Sequence, residues 1–62
     1  MKVREVIRLI EQNGWREVRV RGSHRQFRHE ERAGLVTVPG DLGDDLPIGT
    51  LKSILKQAGL NR

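Results

Sequence analysis

Six of the twelve basic residues of this 62-residue chain fall between Arg16 and Arg32, and all six are arginine: Arg16, Arg19, Arg21, Arg25, Arg28 and Arg32. Arginine offers a planar fork that pairs with phosphate through two hydrogen bonds, where lysine is a point charge. In the middle of that run stands His24, directly after Gly22 and Ser23. Histidine is the side chain best matched to proton transfer at neutral pH. Histidine among arginines is a set able to supply what RNA cleavage by internal attack needs. A base must take the proton of the ribose 2′-hydroxyl, positive charge must meet the phosphoryl oxygens, and the leaving 5′-oxygen must gain a proton. No metal is required. The chain also offers no convincing metal set, with two histidines, no cysteine, and Asp41, Asp44 and Asp45 spaced unlike a calcium loop.

Whether these residues meet depends on the elements that carry them. Trp15 to Arg21 alternates Val18 and Val20 with Glu17, Arg19 and Arg21, the period of a half-buried strand. Gly22-Ser23 signals a turn, and its N–H groups and hydroxyl are able to hold a phosphate. His24 to Glu30 reads as a second strand and Leu35 to Val38 as a third, ended by Pro39-Gly40. Strands send alternate side chains to opposite faces. With Val18, Val20 and Phe27 turned inward, Arg19, Arg21, His24, Gln26 and Arg28 share the outer face. Arg25 and His29 then share parity with Phe27, and a bulge near Gly22 would shift Arg25. His29 is expected to be structural, and Trp15 and Phe27 to be core.

Two helices flank the strands. Val3, Val6, Ile7 and Ile10 follow helical spacing, and Gly14 stops a helix of about Lys2 to Asn13, with Trp15 folding back on its last turn. Pro39 to Gly49 reads as a loop. Leu51, Ile54, Leu55 and Ala58 repeat the helical spacing, and Gly59-Leu60 repeats the ending. Lys52 and Lys56, on the polar side of this helix, are further phosphate candidates. The expected fold is α+β, in the order α-β-β-β-α, with a three-stranded antiparallel sheet and both helices on one face.

Composition sets the limits. Sixty-two residues make one domain, 1–62, with a thin core and no room for a cofactor domain or deep cavity. The net charge of +4 favours polyanions, nucleic acid first. The absence of cysteine excludes disulfides and favours the cytoplasm. No apolar run approaches the roughly 20 residues of a membrane span. Met1 to Glu11 mixes charges through its apolar residues, unlike a signal peptide.

A series of short motifs now falls into place: Gly14-Trp15 after an amphipathic helix, Gly22-Ser23-His24, Phe27, Val36-Thr37-Val38-Pro39, Gly49-Thr50-Leu51, and Ile54 to Leu60. Each alone is common. In this order and spacing, over nearly the whole chain, they resemble the HicA (YcfA-like) toxins of toxin–antitoxin pairs. The resemblance implies a fold like that of a double-stranded RNA-binding domain and an endoribonuclease that cuts messenger RNA. It implies a HicB-type antitoxin as partner and no cofactor. It places the family's functional histidine at His24. Many relatives carry a histidine soon after the Val-Pro ending of the third strand, where this chain has Gly40 and Asp41. The second proton transfer would then fall to water, His29 or a basic side chain.

The rival reading is a non-catalytic module of the same fold that grips duplex RNA by shape and phosphate contacts. A DNA-binding repressor fits less well, because neither helix presents a basic face suited to the major groove.

Overall fold

A computed structural model describes residues 1–60. The elements are α1 (Val3–Gln12), β1 (Trp15–Arg21), β2 (His24–His29), β3 (Val36–Val38) and α2 (Ile48–Gln57). The strands form one antiparallel sheet in the order β1-β2-β3. This is the expected α-β-β-β-α arrangement.

The apolar stripe of α1 does what its spacing requires: Val3, Val6 and Ile10 are fully buried. Its N-terminus needs help, because Lys2 at the N-cap has no acceptor in its side chain. The Glu5 carboxylate instead accepts the Lys2 N–H at 2.7 Å. The next two free N–H groups, of Val3 and Arg4, donate to the carbonyls of Asp44 and Leu42 at 2.9 and 3.1 Å. Asp44 also accepts the Asp41 N–H through its carboxylate at 3.0 Å. The loop of three aspartates is therefore a cap on α1. Among the described residues no group of three or more His, Asp or Glu gathers as a metal ion would need.

Gly14 ends α1 with φ 94°, and a Cβ there would lie 2.6 Å from the His29 Nε2. Both the backbone angle and the lack of space exclude other residues. The chain then turns directly into Trp15, which is buried and donates its indole N–H to the Ala58 carbonyl at 3.2 Å. That bond ties the start of the sheet to the end of α2. The helix itself closes with the paired bonds of a Schellman ending, Leu60 N–H to Leu55 C=O and Gly59 N–H to Lys56 C=O.

The core joins Val3, Val6 and Ile10 of α1 to Ile54 and Ala58 at the α2 end, with Trp15, Phe27, Val36 and Val38 from the sheet. Both helices thus cover one sheet face, as expected. Of the two valines expected to face inward, Val18 leaves that face and Val20 keeps it without being buried. They are 53% and 51% exposed, and Trp15 anchors β1 in their place. Element ends also shift slightly. β2 stops at His29, opposite Trp15, where its partner strand begins. β3 starts at Val36, and α2 starts at Ile48, behind Pro47 at its N-cap. No helix among the described residues is long and apolar enough to cross a membrane.

Candidate nucleic-acid interface

The β1–β2 register determines which side chains meet. Gly22 and Ser23 alone connect the strands, so Arg21 pairs with His24. Gly22 has φ 57° while Ser23 stays at negative φ. That is the pattern of a II′ hairpin turn, which places glycine first and matches the twist of the strands. From there Val20 pairs with Arg25 and Arg19 with Gln26. Then the register shifts between Glu17 and Arg19, leaving Val18 as the extra residue of a bulge. Beyond it, Glu17 pairs with Phe27, Arg16 with Arg28, and Trp15 with His29.

Directly paired residues share a face. Phe27 is buried under the helices, so Glu17, Trp15, His29, Arg25 and Val20 lie on the helix side. The opposite face carries Arg21 beside His24, Arg19 beside Gln26, and Arg16 beside Arg28. Thr37 of β3 extends the middle row from Gln26. The bulge is what allows this. In an unbroken ladder running from Trp15, Arg19 and Arg21 would turn toward the helices. With one residue looped out, Arg16, Arg19 and Arg21 all reach the uncovered face. The bulge lies at Val18 and not near Gly22, where it would have shifted Arg25.

The electrostatics follow from the same register. The only acid within the three strands is Glu17, and it lies on the other side. There it approaches Arg25 Nε at 3.6 Å. The uncovered face thus holds four arginines and His24 with no carboxylate from any strand. Arg16 and Arg28 stand directly opposite one another, an arrangement that costs free energy unless an anion lies between them. His24 is exposed at the end of this face, where a ligand can reach it.

The remaining candidates are placed differently. Arg25 is on the Phe27 side, as strand parity predicts, and is engaged by Glu17. Lys52 and Lys56 are exposed on α2, whose inner side is Ile54 and Ala58. They lie across the sheet from His24 and do not join it. Gly22 and Ser23 form the tip next to His24. His29 has a structural role: its Nδ1 accepts the Glu31 N–H at 2.9 Å, and its Nε2 lies 2.9 Å from the Asn13 carbonyl. An acceptor at Nδ1 puts the proton on Nε2, which donates to Asn13. The ring also meets Trp15 edge-on, with centroids 5.3 Å apart.

Sequence reasoning missed three members of the uncovered face. Arg16 belongs to it only because the bulge moves its partner to Arg28. Val18 and Leu35 line a hollow there with Arg19, Gln26 and Arg28. The alternation of Val18 with charged residues pointed to the core, and no local signal marks the bulge.

What the fold and site define is a class of small α+β domain with one sheet face sealed by helices and the other left open and basic. Residues 3–60 match the model of the HicA toxins of bacterial toxin–antitoxin pairs, and the chain belongs to that family. It is accordingly the toxin member of such a pair, with a cognate antitoxin as partner. A comparison with curated proteins gives no match.

Proposed function

We propose that this toxin is a metal-independent endoribonuclease acting in the cytoplasm on messenger RNA, with the uncovered sheet face as its active surface. The observation that carries the reading is the pairing of His24 with Arg21 on a face that also bears Arg16, Arg19 and Arg28. His24 takes the proton from a ribose 2′-hydroxyl. The 2′-oxygen attacks the adjacent phosphorus, forming the new O–P bond as the bond to the 5′-oxygen breaks. The products are a 2′,3′-cyclic phosphate and a 5′-hydroxyl. Arg21, paired with His24 across the strands, meets the charge that develops on the phosphoryl oxygens. Arg19, Arg28 and Arg16 hold neighbouring phosphates, and the Gly22-Ser23 tip adds hydrogen-bond donors beside them. His29 is occupied by Glu31 and Asn13. Water is then the source of the proton for the leaving 5′-oxygen, or the imidazolium of His24 returns it. The antitoxin, of the HicB type, silences the toxin by covering this face.

A substrate carrying one deoxyribose at the scissile position tests the chemistry. Wild-type protein in EDTA should leave that bond intact and cut the all-ribose control. Equal cleavage of both would overturn internal attack. One observation favours the non-catalytic alternative: among the described residues, His24 is the only group on this face suited to proton transfer at neutral pH. That alternative expects salt-sensitive binding of duplex RNA and no cleavage products.

A further inference from the structure

The uncovered face is polar except at one place. Val18 and Leu35 are 53% and 39% exposed there, and they form the walls of a hollow of about 320 Å³ with Arg19, Gln26 and Arg28. Val18 faces this way because it is the looped-out residue of the bulge. Gln26 occupies the central strand, half-buried between its partners Arg19 and Thr37.

We infer that this hollow is a nucleobase subsite, which seats the base flanking the phosphate at His24 and gives the toxin its base preference. The inference rests on the reading of this face as an RNA-binding surface. Three features point to a base of single-stranded RNA as the occupant. The first is an apolar pair able to contact the flat face of a base, which every nucleobase presents. The second is the Gln26 carboxamide, which has an acceptor and donors side by side, as base edges do. The third is the pair of arginines in its lining, Arg19 and Arg28, whose guanidinium groups suit the phosphates on either side of a base. Spacing agrees as well. Residues two apart on a strand are separated by about 7 Å, so Gln26 stands one step from His24 on the same face. A partner protein's apolar side chain would fill the walls equally well. It would leave both lining arginines facing an uncharged group, and complementarity of charge therefore favours the nucleotide.

The test uses the full chain carrying His24→Ala, so that RNA is not consumed. Adenosine, guanosine, cytidine and uridine 5′-monophosphates, and four single-stranded tetranucleotides differing at one base, are titrated while the Val18 and Leu35 methyl and Gln26 carboxamide resonances are followed. These signals should move on binding, with affinities that differ among the bases by roughly tenfold, and Gln26→Ala should flatten that difference. A second variant, Gln26→Glu, should shift preference toward bases with an exocyclic amino donor. RNA binding that leaves the three signals unmoved overturns the subsite and leaves the RNA reading intact. Methyls that move when antitoxin is added but with none of the nucleotides or tetranucleotides overturn it in favour of a protein occupant. Failure to bind any RNA overturns both. Base-dependent binding in the hollow, together with a lack of cleavage by wild type, supports the subsite and sinks only the nuclease reading.

Discussion

Arg16 and Arg28 face one another across β1 and β2 without a carboxylate from any strand on their side. Removing one relieves a repulsion and, on the proposed reading, removes a phosphate contact. Arg16→Ala should therefore raise the melting temperature slightly at low salt and weaken RNA binding. The plot of log affinity against log salt should flatten by about 0.7 for single-stranded RNA. A variant with lower stability and an unchanged salt slope would contradict this account of the pair. Gly14 gives a second prediction at this scale. Its φ of 94° and the 2.6 Å approach to His29 leave no place for a Cβ. Gly14→Ala should cost about 1–3 kcal/mol in urea unfolding. Gly43, with no positive φ and open space around it, should tolerate alanine within about 1 kcal/mol. Equal costs at the two positions would refute the reading. At this scale the sequence was largely legible. His24, Arg19, Arg21 and Arg28 were grouped by strand parity alone, and the structural role of His29 was expected. Arg16 was not found, because its neighbour depends on a register shift that has no local signature.

Among the elements, β1 determines the site. Its expected inward residues, Val18 and Val20, are both exposed, yet Arg19 and Arg21 still reach the expected face. Strand parity groups these residues correctly because Val20 and Phe27 keep the expected inward phase, and only Val18 departs from it. Trp15 sets the inward phase at one end of the strand, the Gly22-Ser23 turn sets it at the other, and the two differ by one residue. Val18 absorbs the difference. Valine is an ordinary strand residue, so a bulge there cannot be told from a regular strand by its composition. Deleting Val18 should restore a continuous ladder with the same faces. Stability should then change by no more than about 1 kcal/mol, some 4–8 °C in melting temperature for so small a domain. The salt slope should persist and base discrimination should be lost. A chain that fails to fold without Val18 would show that the bulge is needed for the shape of the sheet itself. Both helices were legible apart from their ends, since apolar spacing and glycine endings are local features, but the start of α2 at Ile48 fell within the expected loop. The capping of α1 by the Asp41–Asp44 loop was not legible, because it joins segments some forty residues apart.

On the scale of the molecule, the fold divides labour between two sides of a thin sheet. The chain spans 29 × 27 × 17 Å, and its whole core lies between the sheet and two helices. The other side is then free to be polar, basic and accessible. Lys52 and Lys56, phosphate candidates by their charge on the polar side of α2, belong to the helix side and are separated from His24 by the sheet. Charge counting could not have shown this, because it carries no information about faces. The central proposal is that the arginines and the histidine of this one face act together, as binding charge and reactive group. It is tested most directly by comparing wild type with His24→Ala in EDTA for RNA cleavage, RNA affinity and growth arrest on expression. His24→Ala should bind RNA within a fewfold of wild type while cleavage and growth arrest are lost. Equal cleavage by the two proteins would contradict the account.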